Sequence, residues 1–372
     1  MVARERGGKM PKRARMVTLL MLAAAPCLAA EGAAPAGGYP QGRISGQVFA
    51  EYYYNVVGDP RHAYNAAGAD TLNSPNIDGV KPIGRDLNGF QVRRVYLQLD
   101  SDLSARVSSR LRLEADSRSL TSDGKVGVAL KTAHLHVRRA VPGGDLVLGL
   151  LDTPTWDLSE EVWQYRSVEK TMADFRGIGG RADLGAALRG AFDGAKRFGY
   201  FAMIGNGAGQ RPENNRQKKL YVALPIRAGG FRLEPYADYE SVFGSKDMAT
   251  YKLFAGYLRA AAAIGIEALD RVNHRPAGGN QEPRGLSVFA RASVPANLAA
   301  FARLDLWQPD RRARDRVDSQ LWIAGLDWRP VTDLHVMPNV EATQYLARGA
   351  GVVPPHHDLQ ARVTVHYRFG GP

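Results

Sequence analysis

Cysteine is nearly missing from this sequence: Cys27 is the only one in 372 residues. It lies in an N-terminal leader, so the mature chain has no thiol, which excludes a disulfide framework and a thiolate metal site. Long apolar runs are missing too. Hydrophobic residues make up 45% of the chain, yet beyond the leader none of their runs approaches the roughly 20 residues a membrane-spanning helix needs. A helical membrane protein is therefore excluded, whereas a β-barrel is not, because its strands alternate lipid-facing and lumen-facing residues. Helical periodicity is scarce. No spacing marks a nucleophilic triad, and Gly205 to Gly209 is not a phosphate loop because no helix signal follows it. No enzymatic activity, catalytic residue or cofactor is expected.

The leader itself is legible. Basic residues from Arg4 to Arg15 precede an apolar stretch from Met16 to Leu28, closed by Ala29 and Ala30. That order is a secretory signal peptide, so residues 1–30 are expected to be removed and residues 31–372 to form a single domain. The apolar stretch is too short for a spanning anchor, and Cys27 directly after Pro26 does not suit a lipoprotein. Removing the leader takes six basic residues and one acid from totals of 49 and 37, leaving 43 against 36, a net of +7.

What is present is period-two alternation over the whole mature chain, the mark of half-buried strands. From Ala105 to Asp116 one parity reads Ala105, Val107, Ser109, Leu111, Leu113, Ala115 and the other Arg106, Ser108, Arg110, Arg112, Glu114, Asp116. The final segment repeats the pattern, with Leu359, Ala361, Val363, Val365, Tyr367 and Phe369 against Gln360, Arg362, Thr364, His366 and Arg368. Similar segments begin near Ile44, Phe90, Val128, Leu146, Ala182, Phe198, Leu220, Phe231, Thr250, Ala262, Leu286, Leu298, Leu321 and Leu334. Sixteen strands result, joined by connections that alternate between tight turns and longer polar loops. This predicts an all-β fold, a transmembrane antiparallel barrel with short periplasmic turns and long external loops. Tyr52, Tyr54, Trp307, Trp328, Tyr345, Tyr367 and Phe369 are expected in aromatic girdles at the two membrane interfaces. A soluble β-sandwich would also alternate, but the regular rhythm of loop lengths and the lack of a linker argue against it.

If the apolar parity faces lipid, the charged parity faces a lumen, since a charge at the bilayer midplane costs roughly 2 to 4 kcal/mol. Arg106, Arg110, Arg112, Arg138, Arg232, Arg291, Arg303, Arg362 and Arg368 are then pore-lining, each braced in part by acids such as Glu114, Asp116, Glu234, Asp238 and Glu341. A surplus of fixed positive charge favours anion entry. The connection from Asp152 to Gly180 is too long for a hairpin and rich in Trp156, Val162, Trp163, Tyr165, Val168, Met172 and Phe175. It is expected to fold into the lumen and narrow it, presenting Tyr165, Arg166, Glu169 and Lys170. His134 and His136 read as lumen-facing groups, and His356 and His357 as solvated loop residues, so no metal site is expected.

The stretches GFQVRRVYLQLDSDLSARVSSRLRLEAD from Gly89 to Asp116, LVLGLLDTP from Leu146 to Pro154, YRSVEK from Tyr165 to Lys170, FAMIGNGAG from Phe201 to Gly209 and the closing strand at Phe369 resemble the phosphate-selective porin O and P family. The resemblance implies a sixteen-stranded, trimeric diffusion channel with an inward third loop. Phe369 is followed by Gly370, Gly371 and Pro372, where such barrels commonly end on the aromatic residue. The resulting expectation is a water-filled, anion-preferring pore in the outer membrane of a Gram-negative bacterium, exported through the periplasm. Its partners would be small solutes or anions such as phosphate, outer-membrane lipid and lipopolysaccharide, the barrel-assembly machinery and further copies of itself, with no nucleic acid. The alternatives are a barrel with a plugged lumen in a structural or adhesive role, and a barrel enzyme.

Overall fold

The computed structural model describes residues 38–60, 83–213, 215–242, 244, 246–276, 278–294 and 297–370. Residues 1–30, expected to be a signal peptide, lie outside them. The strands are β1 (Gln41–Val57), β2 (Asn88–Asp102), β3 (Val107–Leu120), β4 (Val126–Val141), β5 (Gly144–Asp152), β6 (Ala182–Ala191), β7 (Gly199–Gly205), β8 (Lys219–Ala223), β9 (Ile226–Ala228), β10 (Phe231–Glu240), β11 (Met248–Leu258), β12 (Ala262–Asn273), β13 (Arg284–Val294), β14 (Leu298–Gln308), β15 (Val317–Val331), β16 (Leu334–Ala347) and β17 (Asp358–Phe369). Two short helices, α1 (Asp157–Trp163) and α2 (Met172–Phe175), lie between β5 and β6.

Apart from β8 and β9, each strand pairs antiparallel with its chain neighbour, and β1 pairs with both β2 and β17, placing Phe49 opposite His366 on one side and Arg94 on the other. The sheet is thus closed, with no free edge and every strand's backbone paired on both sides, the condition a spanning β structure must meet in lipid. β8 and β9 share one place beside β10. They are a single strand broken at Leu224 and Pro225, because proline has no N–H for the ladder; its carbonyl still accepts from the Gly199 amide at 2.8 Å. The barrel therefore has sixteen strands.

Side-chain parity sorts as the alternation predicts over much of the wall. Leu97, Leu99 and Leu111 are exposed outward, while Arg94 pairs with Asp116, Tyr96 with Glu114 and Asp100 with Arg110 across β2 and β3 on the inner face. Exposed outward aromatics collect at the two ends: Phe192, Phe198, Phe231, Trp328, Tyr367 and Phe369 near the short turns, and Phe90, Tyr239 and Tyr251 near the long loops. Two expected girdle residues depart from this. Trp307 and Tyr345 are 3% and 1% exposed and point inward. Trp307 packs with Met172, Ala173, Ile178 and Leu269, and the Tyr345 hydroxyl donates to Asp358 at 2.8 Å. Both sit on the inner parity, where a covered lumen offers an aromatic ring as much burial as lipid does.

Candidate functional site

The segment after β5 turns into the barrel. Thr153 Oγ1 donates to the Gly180 carbonyl at 2.8 Å and closes the base of the loop. α1 and the turn after it then bury Leu158, Val162, Trp163, Tyr165 and Val168 against Phe254, Phe289, Phe301, Leu321, Ile323 and Met337, which are inner-face residues of β11, β13, β14, β15 and β16. Tyr165 stacks on Phe301 with ring centroids 4.2 Å apart, and Trp163 meets Phe289 at 5.2 Å. Glycines on the inner wall make room for these rings: a Cβ at Gly325 would come within 2.5 Å of the Phe301 ring, and one at Gly265 within 2.5 Å of Phe289. On β11–β16 the inner parity therefore combines aromatic and aliphatic residues that seat the loop with buried polar ones such as Lys252, Glu267, Arg303 and Asp327.

Polar contacts fix the loop from several sides. Thr155 Oγ1 donates to the Tyr236 hydroxyl at 3.0 Å, the Ala173 amide to Glu267 at 3.2 Å, the Tyr165 hydroxyl to Asp327 at 3.3 Å and Arg176 to Ser319 at 3.0 Å. Arg232 and Arg227 both hold Glu161 of α1, at 2.7 and 2.9 Å. Arg303, itself braced by Asp305, donates to the Lys170 carbonyl. Trp163 is the centre of this seat, being 1% exposed and donating its indole N–H to the Glu169 carbonyl at 2.8 Å. Replacing a buried tryptophan by alanine costs about 3 to 5 kcal/mol. In Trp163→Ala that loss falls on the loop alone and leaves the hydrogen-bonded barrel in place. Limited proteolysis of the folded variant is expected to open new cleavages within residues 153–181 that the parent resists.

Beside an apolar patch of Val147, Leu151, Ala187, Phe201 and Met203 on β5–β7, the opposite wall stays polar along β1–β4. Between it and the loop lies a chamber of about 470 Å³ at the turn end of the barrel, lined among others by Arg43, Arg110, Arg138, Arg189, His134 and Asp157. Arg110 pairs with Asp100 at 2.7 Å and Arg138 with Asp102, whereas Arg189 has no ion-pair partner among the described residues. Asp157 opens α1 facing this chamber. Its enclosure, then the neighbouring carboxylates of Glu234, Asp152 and Glu160, push its carboxyl up to about 7.

Towards the loop end a small cavity of about 20 Å³ lies between Phe49, Arg93, Arg94 and Asp116 on the wall and Arg166, Ser167 and Lys170 on the loop, where the two come close together. Two β-bulges build this wall. The β1–β2 register slips beside Arg93, and the β3–β4 register slips beside Lys131, so each extra residue turns its side chain inward, a common use of bulges near functional sites. Arg93 reaches Glu169 at 3.0 Å and Glu51 at 3.4 Å. Lys131 and Arg94 share Glu114, at 2.6 and 3.0 Å. The guanidinium groups of Arg94 and Arg112 flank the Tyr96 ring at 5.9 and 5.8 Å.

Facing them, the loop carries an ion-pair hub. Arg166 contacts Glu160 and, at 2.6 Å, Asp174; Arg181 contacts Glu160 at 2.7 Å and Asp174 at 3.3 Å; Lys170 lies 3.6 Å from Asp174. Burial alone would raise the Asp174 carboxyl, but Arg166, Lys170 and Arg181 together hold it far below the usual carboxylate range. Glu160 is lowered by Arg181 and Arg166 against the same burial.

The sequence-expected residues thus fall in three places. Arg110, Arg112 and Arg138 line the polar side, and Arg112 also takes the Gln98 amide oxygen at 2.7 Å. Arg232 and Arg303 hold the loop. Arg291 and Arg362 point inward but are covered, the first on the carbonyls of Arg259 and Ala260, the second on Asn339 and Glu341. Arg106 sits in the turn between β2 and β3 on the Arg139 carbonyl, and Arg368 pairs with Asp333 at the turn end. On the loop, Tyr165 and Glu169 are buried in its seat, while Arg166 and Lys170 border the small cavity. Reading by parity missed Arg93, Lys131 and Arg181. The adjacent pair Arg93 and Arg94 was a usable signal, because two consecutive charges cannot share one face of a regular strand. His357 accepts from the Tyr345 amide at 3.1 Å, and no cluster of metal-ligating side chains occurs among the described residues.

Solved structures of outer-membrane proteins share this fold. The fold is porin-like. An anion-selective porin from Comamonas acidovorans is similar at a TM-score of 0.59 and 14% identity, over 89% of this chain and all of that one. The outer-membrane channel DcaP of Acinetobacter baumannii is similar at 0.63 and 11%, over 91% and 100%. OmpT, an outer-membrane protein of Vibrio cholerae in a trimer form, is similar at 0.56 and 11%, over 89% and 99%. No protein-family model matches the sequence, and no curated protein matches it. The likeness is therefore one of porin-like fold, and it does not reach the phosphate-selective porin O and P family in particular.

Proposed function

We propose that the chain forms a water-filled channel for the passive diffusion of small hydrophilic solutes across the outer membrane of a Gram-negative bacterium, with a preference for anions. The observation that carries this reading is the division of the lumen. One wall seats the loop through apolar contacts, while the other keeps a continuous polar face of Arg94, Arg112, Arg110 and Arg138 along the remaining passage. Rigid, charged walls of this kind set selectivity by attracting one sign of ion. In the chamber four arginines face Asp100, Asp102, Asp152 and Asp157, and with Asp157 part-protonated near neutral pH the balance tips to positive. Assembly into trimers, membership of the phosphate-selective porin O and P family and insertion by the barrel-assembly machinery amid lipopolysaccharide belong to the same proposal. They are supported by the resemblance of the Gly89 to Asp116 stretch and by the porin-like fold.

The test is the zero-current potential of the purified protein in a planar bilayer under a potassium chloride gradient. An anion-directed potential is expected, and it should grow as pH falls below 7, because protonation of Asp157 removes a negative charge, and shrink above it. Since His134 and His136 share the chamber, Asp157→Asn isolates the carboxyl: the variant should hold the larger anion preference above pH 7. A cation-directed potential at every pH would remove the anion preference.

A further inference from the structure

We infer that the outer wall of β12–β15 carries a docking groove for a phosphate-bearing lipid at the loop end of the barrel. The groove has a volume of about 710 Å³ and lies on the outside, with Ala268, Leu286 and Leu306 as its floor between Tyr251 and Leu346. The inference rests on the barrel sitting in a membrane but not on its conducting.

Cross-strand register shows where the groove sits. Asp270, Arg284 and Gln308 are successive partners across β12, β13 and β14, and Gln308 hydrogen-bonds Asp318 of β15 at 3.1 Å. One step down the wall, Ala268, Leu286, Leu306 and Gln320 form the next outward row. One step further, Ile266, Val288, Leu304 and Trp322 form a row without a polar atom other than the indole nitrogen. The outer surface therefore passes from charged to apolar within two steps of a strand, about 13 Å at 3.3 Å per residue. This change is the boundary between headgroup and acyl chain, and the groove straddles it.

Its charged rim is arranged around buried acids. Glu282, 2% exposed, holds Arg311 at 2.6 Å and Arg312 at 2.7 Å. Asp270 holds Arg284 at 2.7 Å and lies 3.9 Å from Arg311. Three guanidinium groups thus converge on two carboxylates. Arg284 and Arg312 remain half or more exposed, so N–H donors are left facing outward. Arginine presents five donors in a planar fork suited to phosphate. A lipid with phosphate on this rim and acyl chains over Leu286 and Leu306 satisfies both halves of the groove. A soluble polyanion would leave the apolar half in water, and an uncharged partner would leave the arginines unused.

The full-length purified protein in detergent, analysed by native mass spectrometry with bis-phosphorylated lipid A and with the same lipid stripped of its phosphates, tests this. The parent is expected to retain the phosphorylated form roughly fivefold better, as charge-assisted hydrogen bonds to two or three guanidinium groups imply. Arg284→Gln with Arg312→Gln should abolish that preference, and Leu306→Trp, which fills the groove, should lower retention of both lipids; Leu99→Trp on the distant outer wall should change neither. Heat-modifiable migration on gels checks that each variant is folded. Equal retention of the two lipids by the parent, an unchanged preference in the double arginine variant, or cysteine cross-linking at position 286 between copies would overturn the proposal. None of these outcomes depends on conduction, so they are distinguishable from a failure of the channel reading.

Discussion

Excising Trp156 to Gly177 and joining the ends with a short glycine-serine link is expected to raise single-channel conductance severalfold, because a sixteen-strand barrel is wide enough for an aqueous channel and the loop fills much of its interior. The excision removes α1, α2 and the apolar plug seated on Phe254, Phe289, Phe301, Leu321, Ile323 and Met337. It leaves the strands and their pairing intact, so the variant should still fold. The newly bared aromatic face should also make the current noisier, since water wets it poorly. Unchanged conductance would mean that the loop does not narrow the pore.

The second large effect is expected from Arg166→Met combined with Arg181→Met. Glu160 and Asp174 are then left enclosed with Lys170 as their one remaining hub cation. Removing the partners of a buried ion pair costs about 3 to 5 kcal/mol, enough to release the hub while the Trp163 seat still holds. Single-channel recordings should show flicker between two conductance levels in place of one steady level. The parent should resist acid. Because the folded carboxyl of Asp174 titrates far below its unfolded value, the stability it contributes is present above the ordinary carboxylate range and is lost only as pH falls through its depressed folded value. Its steady level should therefore persist at pH 4, and flicker in the parent at that pH would contradict the hub.

Much of the barrel was legible because strand periodicity is a local property. The parities of the Ala105 to Asp116 and Leu359 to Phe369 segments survive in the structure, and the long and short connections alternate as read. The break at Pro225 was harder to see, since one residue without an N–H splits a strand without changing its place in the barrel. The lumen was less legible. Phe289 and Phe301 stand on the same inner parity as Arg291 and Arg303, and period-two reading cannot say that the space opposite them is filled by a loop remote in sequence. Arg93 and Lys131 were hidden for another reason: a bulge shifts parity by one residue, and only register with the neighbouring strand reveals it. The hub of Glu160, Arg166, Asp174 and Arg181 depends on how the loop folds back on itself, which no spacing in the chain encodes.

The most direct measurement of the channel itself is the swelling of liposomes carrying the purified protein when they are diluted into isosmotic sugars of increasing size. Rapid swelling with the smallest sugars, falling steeply as size increases and extending to larger sugars once Trp156 to Gly177 is removed, is the expected result. Liposomes that fail to swell in any of the sugars, with the barrel shown to be folded and inserted, would contradict a diffusion channel and leave a closed barrel in its place.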